Sequence, residues 1–523
     1  MLAFVGLLIN GCAWIARVNV DTGGGDSTAP GIVPSLSADG RYVAFHSEAS
    51  DLVPGDGNGT GDVFVRDLRA GTTVRASVDI DGGDSNANSG APSISADGRY
   101  VAFDSEASDL VPGDGNSFKD VFVRDLRAGT TVRASVDFDG GDPNFDSFGE
   151  PPSISADGRY VAFGSIASDL VPGDGTFGSS TIDIFVRDLT AETTVRASID
   201  VDGGDPDSFS MDVPSISADG RYVAFASTAS DLVLGDSNNW DVFVRDMQAG
   251  TTTLASADIS GGTSNGTNTF LPSISAEGRY VAFQSDATDL VPGDGNGVYD
   301  VFVRDLRAGT TVRASVDVSG GDPDGGSFYP SLNDNGRYVA FHSQATDLIS
   351  GDGNFDLDVF VRDLHARTTT RSSVDFLGRE QLRQGSLFAS ISGNGQYVAF
   401  QSRASDLVPG DGNGLEDVFV RAVVTPTVDS LTPATVARGS TATLTLTGSG
   451  FFPGAQASLQ AFGPYGLRVN SVDVVSESEL EVLVTVSAAA PTGARDVMVW
   501  NPGTGPGPFA TGFGFCFGCL TVT

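Results

Sequence analysis

Most of the chain consists of short alternating runs of apolar and polar residues, and the same order of runs returns seven times. Each copy opens with a phrase of the form S-I-S-A-D-G-R-Y-V-A-F. It holds four apolar runs of strand length, and turn-forming segments such as A-D-G and P-G-D-G-N separate them. The residue before the turn glycine recurs every 58 to 62 positions, at 39, 97, 157, 219, 277, 335 and 394. A period of this length predicts a propeller or a solenoid of four-stranded units.

Two features favour a closed ring. The runs Y-V-A-F and V-F-V are apolar on both faces, as a blade between two neighbouring blades requires. The last copy stops after Arg421 without its fourth run, whereas Arg17–Asp21 (RVNVD) matches Arg75–Asp79 (RASVD) in the first copy. We therefore predict an all-β, seven-bladed β-propeller whose N-terminal strand completes the last blade and removes two sheet edges. An open solenoid is the alternative, and it would need polar capping repeats.

The phrases S-I-S-A-D-G-R-Y-V-A-F and D-V-F-V-R-D-L resemble the WD40-like repeat of the periplasmic TolB-type propellers. The resemblance covers residues 15–424 and implies a propeller. The chain departs from that family in its long Asp-rich loops and in its seven units, because the TolB domain has six blades. TolB's partners are therefore not carried over.

A different pattern occupies residues 425–523. It contains P-T-V-D-S-L-T-P, then L-T-G-S-G-F-F-P-G, and finally V-M-V-W-N-P-G. These motifs resemble the IPT/TIG immunoglobulin-like family, and the alternating strands by themselves suit a β-sandwich. The resemblance implies an immunoglobulin-like module that serves as a spacer or an adhesion unit.

The ends of the chain bear on its location. Residues 1–14 form an apolar leader that is too short to span a bilayer, which we interpret as the remnant of an export signal. Cys12 follows I-N-G and offers a lipoprotein anchor, although a misread start is the simpler interpretation. Cys516 and Cys519 form a C-F-G-C pair, for which a small disulfide or two free thiols are more plausible than a metal site. We expect a bacterial protein that is secreted, periplasmic or at the cell surface, without a transmembrane span.

The charge is strongly acidic and unevenly placed. Acidic residues outnumber basic residues 67 to 30, the formal net charge is −37, and Lys119 is the single lysine. This charge argues against a nucleic acid partner. Alternation of four strands places the short A–B and C–D turns at one end of each blade and the long, Asp-rich B–C and D–A loops at the other. We predict an acidic loop-rich face that engages a protein or glycan partner. We expect the protein to be a monomer.

The B–C loops suggest a cation. They repeat the pattern D-x-N-x-x-x-D, and hard oxygen ligands on a glycine-rich loop suit Ca²⁺. Asx-turns to the loop's own backbone are the competing interpretation, since blades three and four change the spacing (Asp174 to Asp183, Asp236 to Asp241). The candidate ligands of structural calcium are Asp56, Asn58, Asp62, Asp114, Asn116, Asp120, Asp294, Asn296, Asp300, Asp352, Asn354, Asp358, Asp411, Asn413 and Asp417.

Evidence for catalysis is weak. His46 and His342 occupy the same position in blades one and six, and a shared metal site there is improbable because blade seven lies between them. The G-x-S-x-G pattern around Ser264 lies in a loop, without the strand-to-helix elbow that a nucleophile needs. The R-D of F-V-R-D recurs in six copies, which favours turn capping and inter-blade ion pairs over chemistry.

These observations favour a non-enzymatic, exported binding protein. The first alternative is an extracellular polysaccharide hydrolase or lyase that uses carboxylates of the central funnel. The second is an adhesion or structural repeat protein without a small-molecule site.

Overall fold

The computed structural model describes residues 15–174, 181–211, 213–236, 239–375, 378–381, 384–423, 426–451, 455–459, 466–476, 478–500 and 513–523. Within these residues all regular structure is β, in nine four-stranded sheets. None of them forms a helix long and apolar enough to cross a membrane. The leader, including Cys12, and Asn238 in the B–C loop of blade four lie outside the described residues. The chain divides into two compact units. One holds Ala16–Asp375 with Glu380–Val420, and the other consists mainly of Arg421–Thr523.

The first unit holds seven sheets in which strands A, B, C and D follow one another in antiparallel order. Blades one to three consist of β2 (Gly31–Leu36), β3 (Tyr42–Ser47), β4 (Asp62–Asp67), β5 (Thr72–Arg75), β6 (Ser89–Ile94), β7 (Tyr100–Ser105), β8 (Asp120–Asp125), β9 (Thr130–Arg133), β10 (Ser147–Ile154), β11 (Tyr160–Ser165), β12 (Asp183–Asp188) and β13 (Thr193–Arg196). Blades four to six consist of β14 (Ser215–Ile216), β15 (Tyr222–Ser227), β16 (Asp241–Asp246), β17 (Thr251–Leu254), β18 (Thr269–Ile274), β19 (Tyr280–Ser285), β20 (Asp300–Asp305), β21 (Thr310–Arg313), β22 (Ser327–Leu332), β23 (Tyr338–Ser343), β24 (Asp358–Asp363) and β25 (Thr368–Arg371).

Blade seven draws its strands from both ends of the unit. It consists of β26 (Ser386–Ile391), β27 (Tyr397–Ser402), β28 (Asp417–Ala422) and, on the outer edge, β1 (Ile15–Arg17). Just beyond β1, the Val18 amide donates to the Val418 carbonyl oxygen at 2.8 Å. The predicted seven-bladed propeller with an N-terminal closing strand is therefore confirmed.

The A–B turns close the ring by backbone hydrogen bonds. Ala38 N donates to the Ala96 carbonyl oxygen of the next blade, an equivalent bond links each following pair of blades, and Asn394 N of blade seven donates back to Ala38 O at 2.9 Å. The strand-B tyrosine of each blade packs on the turn glycine of the next, for example Tyr42 on Gly98. Gly98 has a φ of +73°, so only glycine suits both the backbone and the contact.

The blade cores are built from the apolar phrases. The strand-B and strand-C phenylalanines are fully buried and stack in pairs, as Phe45 and Phe64 do with ring centroids 5.8 Å apart. Burying one such side chain stabilises the fold by about 1.5–3 kcal/mol. Because strands A and B of neighbouring blades contact each other, strand A lies innermost and strand D outermost.

The second unit contains two four-stranded sheets. One has the order β29 (Thr427–Thr432), β31 (Thr441–Ser449), β34 (Glu479–Val486), β33 (Leu467–Ser476), and the other β30 (Thr435–Val436), β36 (Phe513–Val522), β35 (Gly493–Trp500), β32 (Gln456–Ser458). Leu444, Leu480 and Val482 of the first sheet share one buried core with Val497 and Leu520 of the second. These are the C-terminal β-sheets that the alternating pattern predicts.

Candidate functional site

The long B–C and D–A loops lie at one end of the propeller, which we call the loop face. In blade one, three acidic side chains on this face surround one arginine from the end of strand D. Arg75 Nη1 lies 3.0 Å from Asp56 Oδ1 and 3.4 Å from Asp62 Oδ2, and Arg75 Nη2 lies 2.6 Å from Asp84 Oδ1. Arg75, Asp56 and Asp62 have side-chain exposures of 7% or less. A buried guanidinium thus provides the positive charge between the two B–C loop aspartates.

We call this group the arginine cluster, and it recurs in six blades. The arginines are Arg75, Arg133, Arg196, Arg313 and Arg371 at the end of strand D in blades one, two, three, five and six, and Arg17 of β1 in blade seven. Blade four has Leu254 at this position. Each arginine neutralises part of the acidic loop pair, which explains how the repeat tolerates buried aspartates.

A serine hydroxyl also holds the second aspartate of the cluster in blades one, two, three, five and six, and the Asn19 side-chain amide does so in blade seven. In blade two, Ser135 Oγ donates to Asp120 Oδ1 at 2.6 Å and the Arg133 guanidinium lies 3.3 Å from Oδ2. Burial raises the pKa of this carboxyl to about 6, although the serine and the arginine act in the opposite direction. Burial likewise raises the pKa to about 6 at Asp183, Asp300 and Asp417.

The loop asparagines make the Asx-turns that compete with the calcium interpretation. In blade one, Thr60 N donates to Asn58 Oδ1 at 3.1 Å, while Asn58 Nδ2 donates to Asp62 Oδ2 and to the Ser85 carbonyl oxygen. Asn116, Asn296, Asn354 and Asn413 make the same turn in their blades.

The fifteen predicted ligands therefore form five separate clusters, one for each of blades one, two, five, six and seven. Within the described ranges, no three His, Cys, Asp or Glu side chains are arranged to hold a metal ion. Calcium at these loops stays a prediction, and an arginine already occupies the centre of each one.

The aspartates of the D–A loops accept hydrogen bonds from the backbone amides of their own turns. Asp79 Oδ1 accepts hydrogen bonds from Asp81 N at 2.8 Å and Gly83 N at 2.7 Å, and Asp137, Asp200, Asp258 and Asp317 repeat this arrangement. A carboxylate with a short side chain suits such a turn, which explains why Asp exceeds Glu in these loops.

The repeated R-D pair lies at the opposite end of the blade. Asp67 Oδ1 caps the C–D turn by accepting from Arg69 N and Ala70 N, as the repetition predicts. Its ion-pair partner is Arg41 of the same blade, with Arg41 Nη2 and Asp67 Oδ2 2.6 Å apart. The expectation of inter-blade ion pairs is wrong here, because register places the A–B turn beside the end of strand C in one sheet.

The two related histidines are buried near the innermost strands. His342 Nδ1 accepts a hydrogen bond from Phe388 N of blade seven at 3.4 Å, and burial lowers the pKa of His342 to about 4. Burial also lowers the pKa of His46. A neutral His342 that accepts a backbone bond acts as part of the packing between blades.

The start of strand A carries the largest differences between blades. The second residue of strand A is apolar in most blades, as Ile32 and Phe328 are. Its cross-strand partner is the residue that follows the strand-B phenylalanine. In blades five to seven the strand-A residues are Phe270, Phe328, Tyr329, Leu387 and Phe388, and Tyr299 of a B–C loop joins them.

We call Phe270, Tyr299, Phe328, Tyr329 and Phe388 the aromatic sector. Tyr299 contacts Phe270 and Phe328 with ring centroids 6.0 and 5.5 Å apart, and Tyr329 meets Phe388 edge-on at 4.8 Å. Tyr329 is 40% exposed. The sequence pattern does not reveal this group, because four of its members occupy ordinary positions of strand A and Tyr299 lies in a loop. A comparison of the copies at this position alone would have found it.

A cleft of about 420 Å³ lies on the loop side of blades two and three. Glu106, Asn116, Lys119, Asp146 and Phe148 are among its lining residues. Lys119 Nζ pairs with the buried Asp104 carboxylate at 2.9 Å. The single lysine of the chain is therefore held in a cleft with several carboxylates.

The C-F-G-C pair lies on β36 of the second unit. Both thiols are free and half-buried, and Cys519 Sγ donates to the Cys516 carbonyl oxygen at 3.3 Å. Burial raises the pKa of Cys519 to about 12, so this thiol is protonated at neutral pH.

No protein-family model and no curated protein matches the chain. Among solved structures, the chain is similar to a putative TolB from Agrobacterium tumefaciens, with 14% identity, coverage of 76% of this chain and 91% of that one, and a TM-score of 0.32. A prolyl endopeptidase aligns with 13% identity over 81% of this chain and 55% of its own, with a TM-score of 0.43. U3-55K aligns with 10% identity over 78% of this chain and 98% of its own, with a TM-score of 0.41. Likeness at these identities concerns architecture alone.

Proposed function

We propose that the chain is an exported, non-enzymatic binding protein that engages a glycan or protein partner on the loop face of its propeller. The aromatic sector carries this proposal. Architecture requires only a residue that fits the start of strand A, because blade two has Gly90 and Ala91 there. Large aromatic rings in three adjacent blades, one of them 40% exposed, exceed that requirement.

A binding role suits the chemistry around these rings better than a catalytic one. Aromatic faces stack on apolar faces of a ligand, and tyrosine adds a hydroxyl at low cost in conformational entropy. The surrounding loops offer carboxylate and amide groups, which bind the hydroxyls of a sugar or the polar groups of a peptide. His342, whose ring stacks on Tyr329, accepts a backbone hydrogen bond and so belongs to the packing between blades.

The location and the second unit belong to the same proposal. An acidic propeller, an apolar leader and C-terminal β-sheets with IPT/TIG-like motifs suit a secreted, periplasmic or surface protein in which the second unit is a spacer or an adhesion module. Lipid attachment at Cys12 is an alternative means of anchoring.

A glycan array with a panel of polysaccharides tests the binding role. We expect specific binding by the full chain, and a loss of at least about tenfold in affinity, or about 1.4 kcal/mol, in Tyr329→Ala and Phe388→Ala. Phe138→Ala is the matched control, because Phe138 is 59% exposed on a D–A loop and lies outside the aromatic sector. Equal losses in all three variants would contradict a site at the aromatic sector.

The second candidate is a polysaccharide hydrolase or lyase. The cleft with Lys119, Glu106 and Asp146 favours it, since a lysine and carboxylates are the groups that such chemistry uses. A turnover assay on each polysaccharide that binds separates the candidates. Turnover that Lys119→Met abolishes would favour the enzyme, and neither binding nor turnover would favour an adhesion or structural role.

A further inference from the structure

Blade four departs from the arginine cluster at two positions. Leu254 stands where six blades have arginine, and Thr263 stands where those blades have the third acid (Asp26, Asp84, Asp142, Asp205, Asp322 and Glu380). The equivalence is fixed by register, because the bridge Ala257–Thr263 corresponds to Val78–Asp84 in blade one. The two B–C loop aspartates, Asp236 and Asp241, are retained.

Asp241 keeps the hydrogen bond from a serine hydroxyl but lacks the neighbouring guanidinium. Ser256 Oγ donates to Asp241 Oδ1 at 2.6 Å, as Ser77 Oγ does to Asp62 Oδ1 in blade one. In the sister blades, Oδ2 of this aspartate faces the guanidinium, as Asp62 Oδ2 does at 3.4 Å. Asp241 is 0% exposed, and its Oδ2 atom has neither a hydrogen-bond donor nor a cationic side chain beside it among the described residues.

A buried carboxylate oxygen in this position is costly unless a positive charge or a proton compensates it. Burial, together with the neighbouring Asp236 carboxylate, raises the pKa of Asp241 to about 7. Leu254 contributes no polar atom, so the compensation that six blades obtain from their own chain has to come from elsewhere.

We propose that blade four binds a hard divalent cation, such as Ca²⁺, between the carboxylates of Asp236 and Asp241, at the place that arginine fills in the other six blades. The donor set is oxygen, which such ions prefer, and the Ser264 hydroxyl lies beside Asp241 Oδ1 at 3.5 Å. Water completes the coordination shell. This site differs from the five repeated loops, because there the arginine already occupies the centre.

Trp240 makes the site directly observable, since it immediately precedes Asp241 and its indole packs edge-on against Phe209 at 5.3 Å. We expect Tb³⁺, a luminescent substitute for Ca²⁺, to emit when tryptophan is excited in the full chain after treatment with a chelator. Added Ca²⁺ should quench this emission by competition. In thermal melts, Ca²⁺ should raise the midpoint of the chelator-treated wild type by several degrees.

The variant Leu254→Arg with Thr263→Asp rebuilds the arginine cluster in blade four. It should lose both the Tb³⁺ emission and the Ca²⁺-dependent shift in melting midpoint. Asp241→Asn should lose them as well, which keeps the test independent of how well the new arginine packs. Thr253→Val is the matched control, because it gives strand D the residue of most other blades without touching the cluster, and it should behave as the wild type. Two results would overturn the proposal. If the wild type responds to neither ion, a proton neutralises the Asp236–Asp241 pair. If the response survives in Asp241→Asn and in the rebuilt blade, the ion binds elsewhere.

Discussion

Arg17 Nη1 lies 3.6 Å from Asp417 Oδ2, so the two ends of the propeller sequence meet in one buried ion pair. The same guanidinium lies 3.5 Å from Asp411 Oδ1 and contacts Asp26. Asn19 adds a hydrogen bond from its side-chain amide to Asp417. The strand that closes the ring therefore brings with it the arginine that its blade needs.

Loss of this arginine should weaken ring closure. We expect Arg17→Leu to destabilise the propeller by about 3–5 kcal/mol, because it leaves Asp411 and Asp417 buried without their cation. Thermal and denaturant unfolding measure the effect, with Arg69→Leu in an exposed C–D turn as the control. Equal stability of the two variants would show that backbone pairing alone closes the ring.

Replacement of the turn glycines should separate backbone strain from blade packing. Gly82 and Gly98 both have positive φ, of 86° and 73°, and an alanine at either position carries a strain of about 1–2 kcal/mol. At Gly98 the new methyl group would also overlap the ring of Tyr42, whereas Gly82 has open space. We expect Gly98→Ala to lower the melting midpoint clearly more than Gly82→Ala, and similar midpoints would contradict the importance of the tyrosine contact.

The buried histidine should be replaceable by the residue of its sister blades. Gln284 and Gln401 Oε1 accept a backbone hydrogen bond from the next blade at 2.9 Å, the task that His342 Nδ1 performs toward Phe388. We therefore expect His342→Gln to keep wild-type stability and His342→Leu to lose about 1–3 kcal/mol, because the Phe388 amide then has no acceptor. Melting curves of the two variants decide this, and a metal-binding role would instead make both variants equally harmful.

The end of the propeller that carries the A–B and C–D turns should lose stability in acid. Hydrogen bonds from Arg159 hold the pKa of Asp188 at about 2, and Arg221 does the same for Asp246. A lowered pKa means that the pair stabilises the fold above the ordinary value of 3.8 and that this contribution is lost as the pH falls towards about 2. Both pairs are near the surface, so we expect a modest effect that salt weakens.

A pH series of thermal melts checks this. The double variant Asp188→Asn and Asp246→Asn should show a flatter decline in midpoint between about pH 4 and pH 2 than wild type. An unchanged slope would mean that other carboxylates govern the acid transition.

The repeat pattern is enough to predict the architecture, since its strand, turn and repeat-number signals all agree. Four apolar runs with turn residues between them specify a four-stranded sheet, and seven copies with a displaced last strand specify a closed ring. Arg17–Asp21 matches its counterpart in the first copy, and this match together with the missing fourth run of the last copy predicts the closing strand of blade seven.

The roles of the charged residues depend on which strand ends and loops the fold brings together. The B–C loop acids match a calcium loop in sequence, and that pattern does not show that Arg75 of strand D lies between Asp56 and Asp62. A loop pattern cannot show which strand end lies beside it. The aromatic sector has the same origin, since Tyr329 and Phe388 come from different copies and meet only where the strands A of neighbouring blades come together. Local patterns fix strands and turns, whereas a site is made by residues that the ring brings together from distant repeats.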